Sequence, residues 1–384
     1  MISNRKLLVL AFTLAVPMAW IMRPSNSTAA TSPEPSSETL TVDCSKGKSI
    51  NAAIAASRAR KLRLEVSGTC AEAVVVERIG LTISGTAAGG ATIDPPDVGR
   101  EPTGPAIRAL GAHELTLEDL TLTGATNGLE ASASLAVTLT RVNAVDNDPP
   151  NGIHFVMGYG VLFNGSEALI TEADISRNFS PLVANEGSHV QIADSTITDN
   201  TADGPFSAAN SSLRITACNI AGNAFGPQAV RNSWTRVIQS TVDSSGEGFA
   251  FENSLLEYFD STITNMVSSY ATGNSILRYV RSSVTTDLLG AFRSSRLEIS
   301  GSTLEGDLSA DSDSYAEANR ARVNPGVSPA VFRESEITGN VVISRFSDAS
   351  FNTGVVAIQG AVTCSERSRV TTNLTPTGRT RGCE

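Results

Sequence analysis

The chain has 384 residues, of which 41% are hydrophobic and 18% charged, and its formal net charge is −10 at pH 7. Nucleic acids and anionic membrane surfaces are also negatively charged, so an acidic chain is a poor partner for either. We therefore expect no nucleic-acid ligand.

Residues 1–30 are typical of a secretory signal peptide. Arg5 and Lys6 precede an apolar run over residues 7–22, and small residues at 28–30 offer a cleavage site. An uncleaved N-terminal anchor is the alternative, because the run approaches the length of a short membrane span. No later segment is long and apolar enough to cross a bilayer. The sequence thus predicts a secreted, periplasmic or cell-surface protein with no membrane span after signal removal.

Residues 31–41 form a Ser/Pro-rich lead-in, which we expect to be flexible. Beyond this segment, Ser49 is a favourable N-cap, and Ile50, Ala53 and Ile54 lie on one face of a short amphipathic stretch. The pattern predicts a helix near residues 49–60 that caps the start of the fold.

The chain has five cysteines, and export permits disulfide bonds. Pairing by position predicts one disulfide between Cys44 and Cys70 at the N-terminal end. It predicts another between Cys364 and Cys383, within a C-terminal tail over residues 364–384. Cys218 is then left as a free thiol.

A short motif that begins with serine recurs between residues 166 and 307 at a period of 20 to 23 residues. Self-similarity at such a period indicates a solenoid. Within each repeat, apolar and polar residues alternate with a period of two, which is typical of strands. Asn-rich corners separate three strand-like segments in each repeat. The sequence therefore predicts an all-β solenoid, a parallel β-helix over residues 42–363 with roughly 10–12 rungs.

Stacked repeats should place like residues above one another. We expect one buried column to contain Ile192, Ile215, Val237, Tyr258 and Tyr279. A second inward column lies seven positions after each motif serine and consists of Ser195, Cys218, Ser240, Ser261, Ser282 and Ser302. Identical side chains repeat their contacts in such stacks. We therefore interpret the serines as structural, and Cys218 as buried.

Three insertions interrupt the repeats, at residues 95–105, 146–160 and 311–327. The first two each fall between the second and third strands of a rung, so they should emerge on the same side. The second carries the candidates for acid–base catalysis. Those candidates are Asp146, Asp148, His154 and Tyr159. A polar loop without catalytic function is the alternative.

Two groups of charged residues are candidates for polysaccharide binding. Arg236, Glu257 and Arg278 occupy outward positions in successive repeats and alternate in sign, which predicts an exposed charge ladder. A role in solubility alone is the alternative to binding. The second group flanks a row of alanines that would form the floor of a shallow groove, although lateral packing explains the row equally well. The row is Ala229, Ala250, Ala271 and Ala291, and its flanking charges are Arg231, Glu252 and Arg293.

Six large apolar residues occupy the outward positions on either side of the charge ladder. They are Trp234, Leu255 and Ile276 on one side and Ile238, Phe259 and Val280 on the other. We refer to these six residues as the apolar stripe. Soluble monomers seldom expose patches of this size, so the stripe predicts an interface. A second copy, the C-terminal tail or the third insertion could cover it, and a platform on which sugar rings stack is the other explanation.

The segments Val42–Ile50, Val66–Glu72 and Leu81–Gly85 resemble the first rungs of bacterial right-handed parallel β-helix proteins of the pectin-lyase-like superfamily. The resemblance covers the chain from residue 42 onward and implies the right-handed form of the fold. That superfamily contains both carbohydrate-active enzymes and adhesins, so fold alone does not set the function. The motifs of pectate lyases, polygalacturonases and mannuronan epimerases are absent, and only Gln228–Val230 matches a fragment of the methylesterase pattern.

Two functional hypotheses remain. The first is an exported protein that binds, or also processes, an acidic polysaccharide. The second is a non-enzymatic surface or structural protein that presents an interaction face to another protein. Whether the chain is an enzyme stays open at this point, and we expect no cofactor and no metal ion.

Overall fold

The structure is a computed structural model. It describes residues 36–86, 90–98, 101–102, 104–147, 158–244 and 246–310, and beyond these the strands 315–319, 322–324, 331–333, 336–338, 341–343, 348–352, 358–359, 362–364, 369–372 and 380–381. Residues 1–35, which include the predicted signal peptide, lie outside the described residues, as do Asp148, His154 and Cys383.

The chain winds through three parallel sheets in order, once per turn. Sheet 1 contains Ser37–Asp43, Lys61–Ser67, Ile79–Gly85, Glu167–Thr171, His189–Ala193, Ser212–Thr216, Trp234–Ile238, Leu255–Phe259, Ile276–Val280, Arg296–Ser300, Tyr315–Asn319, Val331–Arg333, Asp348–Asn352 and Arg369–Thr372. Sheet 2 contains Thr69–Cys70, Ala91–Ile93, Asp174–Ser176, Thr196–Thr198, Asn219–Ala221, Thr241–Asp243, Arg322–Asn324, Glu336–Thr338 and Ile358–Gln359. Sheet 3 contains Val74–Val76, Ile107–Leu110, Asn127–Ser132, Tyr159–Asn164, Ser180–Asn185, Phe206–Ser207, Gln228–Val230 and Glu247–Phe251.

Longer strands bend around a corner and join two sheets. His113–Leu122 and Val137–Val145 run from sheet 1 into sheet 2. Thr262–Thr272, Ser283–Phe292 and Thr303–Ala310 run from sheet 2 into sheet 3. The short strands Val341–Ile343, Val362–Cys364 and Thr380–Arg381 form a separate parallel sheet. Asp97–Val98 pairs with Glu101–Pro102 in an antiparallel hairpin inside the first insertion.

The fold is a parallel β-helix of about 11 turns, which run from Lys61 to Ala310, with one strand before them and further strands after. The predicted fold class and number of rungs are therefore confirmed. The first strand begins at Ser37, inside the predicted lead-in, and pairs with Lys61–Ser67. Strands also continue beyond residue 364 into the predicted tail. The first two insertions both lie between sheet 2 and sheet 3, as expected.

The N-terminal end carries a short 3₁₀-helix, Cys44–Lys46, and the predicted α-helix, Ile50–Ala56. Ser49 is its N-cap, because its Oγ accepts a hydrogen bond from the backbone N–H of Ala52 at 3.1 Å. The Glu72 carboxylate accepts a further bond from the N–H of Ile50 at 2.5 Å. The helix contacts the first turn of the solenoid and is shorter than the predicted 49–60.

The predicted columns exist in the structure. Ile192, Ile215, Val237, Tyr258 and Tyr279 are paired turn over turn and are at most 1% exposed, so their register is confirmed. In the serine column, the Oγ of Ser240 accepts from the backbone N–H of Cys218 in the preceding turn, and each later serine repeats this contact. These serines bond backbone groups and have structural roles.

A column of asparagines occupies the corner between sheets 2 and 3. Asn147, Asn178, Asn200 and Asn223 are at most 1% exposed. Each of the first three donates its backbone N–H to the side-chain oxygen of the next asparagine, at 3.0 to 3.1 Å. Side-chain amides also donate to backbone carbonyls, as Asn200 does to Ile175. The column thus satisfies corner groups that no strand can pair.

The cysteines agree with the prediction as far as the structure describes them. Cys44 and Cys70 form a disulfide whose Cα atoms are 5.0 Å apart. Cys218 is free and buried, and burial raises the pKa of its thiol to about 11. The predicted bond between Cys364 and Cys383 stays a prediction, because Cys383 lies outside the described residues.

Candidate functional site

The outer face of sheet 1 carries the charged and apolar residues that the sequence singled out. Along Trp234–Ile238, Thr235 and Val237 point inward and are fully buried, while Trp234, Arg236 and Ile238 point outward. The neighbouring strands pair with this one in register. Residues at equivalent positions of successive turns therefore form columns that cross the strands, one charged and two apolar.

A network of charges centres on Glu257. One of its carboxylate oxygens accepts hydrogen bonds from Trp234 Nε1 at 2.8 Å and from Arg236 Nη2 at 2.7 Å. The other oxygen accepts from Arg278 Nη1 at 2.5 Å. Arg278 also donates to Glu298. Burial alone would lower the pKa of Arg278, but the two carboxylates outweigh burial and raise it.

Glu257 corrects the prediction of an exposed charge ladder. Its side chain points outward, but its exposure is 0%, whereas the side chains of Arg236 and Arg278 are 31% and 33% exposed. The two long guanidinium side chains and the Trp234 ring lie over the shorter carboxylate. The sequence showed that the charges alternate in sign. It did not show that the longer arginine side chains cover the shorter glutamate. Removal of one partner from such a pair costs more than removal of one partner from a surface pair, because a poorly solvated charge then loses its counter-charge.

The apolar stripe faces outward, as the alternation predicts, and all six members are half-buried. Part of this cover comes from the network itself. The Arg236 guanidinium lies 4.4 Å from the Trp234 ring centroid and 5.0 Å from that of Phe259. Such cation–π contacts are favourable when they are partly desolvated. Whether another segment or a second copy covers the stripe stays a prediction.

On the strands between Ser212 and Ser300, this face has more cations than anions. Arg214 is exposed, lies next to Arg236 in the register, and has no side-chain partner among the described residues. Arg296 pairs with Glu298 at 2.7 Å. The sequence reasoning did not select Arg296 as a site residue, although its place two positions before Glu298 puts both on the same face of a strand. This part of the face thus has a net positive charge on a chain that is acidic as a whole.

The predicted groove with an alanine floor is wrong. Ala229, Ala250, Ala271 and Ala291 are 0% exposed and point into the core. The outward positions beside them hold larger residues, including Phe249 and Phe251. A groove would require the alanines on sheet 3 to point outward, whereas they point inward. The alternative of lateral packing is therefore correct.

The charges that were expected to wall this groove lie at the corner that leads from sheet 3 to sheet 1. Arg231, Glu252 and Arg293 are exposed and have left-handed backbone conformations, with φ of 56°, 56° and 54°. Within the described residues, no ion pair joins them. They lie exposed at the corner and do not wall an alanine groove.

Aromatic rings form a row on the outer face of sheet 3 that the sequence analysis did not select. Phe249 stacks on Tyr270 with centroids 5.6 Å apart, and Tyr270 meets the edge of Phe292 at 6.1 Å. The signal was present, because Phe249 and Tyr270 occupy equivalent positions in successive repeats. Packing of these rings against one another accounts for the row without a ligand.

Of the four catalytic candidates, the structure describes Asp146 and Tyr159, and no hydrogen bond joins these two. Asp146 forms a two-pronged ion pair with Arg177, at 2.7 and 2.9 Å. Tyr159 lies in the electrostatic field of Asp203 instead. Burial and this negative charge raise the pKa of Tyr159, which makes it a weaker acid and keeps it protonated at neutral pH. Asp148 and His154 lie outside the described residues.

No group of three or more His, Cys, Asp or Glu side chains within the described part of the chain is arranged to hold a metal ion. None of the helices in that part is long and apolar enough to cross a membrane.

Comparison with known proteins supports the fold assignment. A family model described as right handed beta helix region matches residues 105–287. The match covers less than half of the chain and assigns right-handed winding to residues 105–287, and the parallel register of the three sheets shows the parallel β-helix fold. A search among curated proteins and a search among solved structures each found no match.

Proposed function

We propose that this protein is exported and binds an acidic extracellular polysaccharide along the outer face of sheet 1. The observation that carries the proposal is the arginine-rich network around Glu257. Its guanidinium groups are one-third exposed, so each keeps donors for a ligand while the buried carboxylate fixes its position. Planar guanidinium groups suit carboxylate and sulfate groups, which accept two parallel hydrogen bonds.

The shape and charge of the face support a polymeric ligand. Arg214, Arg236 and Arg278 lie in one column that crosses the strands, with successive turns spaced by about 4.8 Å. The rims of Trp234 and Phe259 flank this column and offer apolar contact to sugar rings. A neutral polysaccharide would leave the excess positive charge without a partner, which favours an acidic one.

Binding without cleavage fits these residues better than catalysis. Tyr159 has a raised pKa, so it is a poor general base at neutral pH. Asp146 is held by Arg177 and is unsuited to accept a proton from a substrate. Export of the protein rests on the signal-like residues 1–30 and the disulfide between Cys44 and Cys70.

Arg214→Gln should weaken binding to uronic-acid polysaccharides by about threefold to tenfold, because one exposed charge-assisted contact is lost. Arg214 has no partner among the described residues, so the variant should keep the stability of the native chain. Affinity would be measured against a panel of uronic-acid and neutral polysaccharides, with a parallel assay for new unsaturated ends.

Arg231→Gln and Arg293→Gln are matched controls, because each removes the same charge from the corner beside sheet 3. We expect both controls to bind as the native chain does. A loss of affinity in the controls but not in Arg214→Gln would place the ligand at the corner and reject the sheet 1 face. New unsaturated ends would show that the protein cleaves the glycan.

Self-association is a second candidate function, and the apolar stripe favours it. Exchanging Phe259 and Ile238 for serine removes apolar area from neighbouring positions on one side of the charge column. If the stripe is an interface, the double variant should keep its fold but shift to a smaller species in sedimentation velocity. Unchanged sedimentation at every concentration would reject an interface between copies.

A further inference from the structure

A groove lies at the N-terminal end of the solenoid, away from the sheet 1 network. It is bounded by the helix Ile50–Ala56, the linker 57–60 that follows it, and residues 75–79 at the corner between sheet 3 and sheet 1. Its volume is about 540 Å³, which falls within the range of small-molecule sites.

The floor of this groove is held by the helix. Asn51 donates from Nδ2 to the carbonyl of Ala73 at 2.8 Å, and its Oδ1 accepts from the backbone N–H of Val75 at 2.9 Å. The Asn51 side chain therefore joins the helix to the neighbouring strand both as a donor and as an acceptor. The distance between helix and strand, which sets the width of the groove, is fixed by these two bonds.

The linker wall is held as firmly. Ser57 donates to the Glu38 carboxylate at 2.5 Å, and Arg78 donates to the carbonyl of Ala59. Gly80 has φ of +67°, and a Cβ there would lie 2.7 Å from the Arg60 carbonyl oxygen, so only glycine permits this approach. A groove whose walls are fixed before binding loses less entropy when a ligand enters.

The chemistry of the lining is cationic and apolar together. Arg58, Arg60 and Arg78 contribute three positive charges, whereas Glu77 is the one acidic residue of the lining. Arg58 and Arg60 are exposed and have no side-chain partner in the part of the chain that the structure describes. Local charge is thus opposite to that of the whole chain, which has a net charge of −10.

Two of the large apolar residues that the solenoid leaves exposed lie in the same groove. Val75 is 44% exposed and Ile79 is 50% exposed. Single exposed apolar residues need no explanation, but two that share a groove with unpaired arginines form an amphipathic surface. An ion alone would leave this apolar area in water.

We propose that this groove binds a free small amphipathic anion, namely a carboxylate on a short apolar chain. The carboxylate pairs with the guanidinium groups of Arg58 and Arg60, and the apolar chain lies against Val75 and Ile79. Binding is non-covalent and is separate from the polysaccharide function proposed for sheet 1, since the two sites share no residue.

The test is titration of the native full chain with octanoate by calorimetry, with acetate and octanol as probes that each carry one half of the ligand. Octanoate should bind at least about tenfold more tightly than either probe, because only octanoate uses both halves of the groove. The double variant Arg58→Gln/Arg60→Gln should lose at least about tenfold in affinity for octanoate. Arg293→Gln, which removes a charge elsewhere, should bind octanoate as the native chain does.

Three results would overturn the proposal. Octanoate binding no tighter than acetate would show that the apolar half is not used, and unchanged affinity in the double variant would place the ligand elsewhere. Attachment to phosphatidylglycerol vesicles without any octanoate binding would show a membrane-facing surface in place of a small-molecule site. Circular dichroism of each variant checks that the fold is intact before the titrations are compared.

Discussion

Asn200→Ala is expected to destabilise the solenoid by about 2 to 5 kcal/mol, because it leaves buried polar groups without partners. The Asn200 Oδ1 atom accepts from the backbone N–H and the side-chain amide of Asn178. Its amide donates to the carbonyl of Ile175 and to the Oδ1 of Asn223. The Asn200 side chain is 1% exposed, so water does not reach these groups to replace the lost bonds.

The measurement is urea unfolding followed by circular dichroism, with comparison of midpoints and slopes. Asn219→Ala is the matched control, because Asn219 is exposed on sheet 2 in the next turn. The control should change the free energy of unfolding by no more than about 0.5 kcal/mol. Equal midpoints for the two variants would mean that the asparagine column contributes nothing to stability.

Glu257→Ala is expected to cost about 1.5 to 3 kcal/mol, since it removes charge-assisted hydrogen bonds to a fully buried carboxylate, while the arginines left behind are one-third exposed. Arg236 loses its carboxylate partner, Arg278 keeps only Glu298, and Trp234 Nε1 loses its acceptor. Salt should change this cost little, because a carboxylate with 0% exposure is poorly screened by ions.

Glu167→Ala is the control for this experiment, because Glu167 is an exposed glutamate at the start of another sheet 1 strand. It should shift the urea midpoint only slightly. In a double-mutant cycle, the combined cost of Glu257→Ala and Arg236→Ala should be less than the sum of the single costs, since the pair is then removed together. Additive costs would show that the two side chains do not interact in solution.

The fold was predictable because the same pattern of apolar, polar and serine positions recurs in every repeat. The alternation of apolar and polar residues set the facing of each sheet 1 strand, and the recurring serine set the register of one turn on the next. Ile192, Val237 and Tyr258 were placed correctly from spacing alone. A helix cap at Ser49 was also readable, since N-capping depends on local chemistry.

The candidate site was only partly predictable. The spacing of residues in the sequence sets which face of the strand a side chain lies on, but not how neighbouring side chains cover one another. Arg236, Glu257 and Arg278 were placed on the outer face correctly. The burial of Glu257 was missed, since it depends on how two long side chains and one indole fold over a shorter one. The alanine row failed for another reason. Small residues suit both a crowded interior and a groove floor, and the pattern did not separate the two.

In the corner columns, each residue donates its backbone N–H to the equivalent side chain of the next turn. This regular pattern limits how the chain can change in length. Asn178 gives its backbone N–H to Asn200 in the same way as Asn200 gives its own to Asn223. Loss or duplication of one whole repeat therefore rejoins identical partners, whereas loss of a few residues shifts every later contact. Insertions and deletions in this chain are therefore best tolerated as whole repeats, so the repeat is the unit in which its length can evolve.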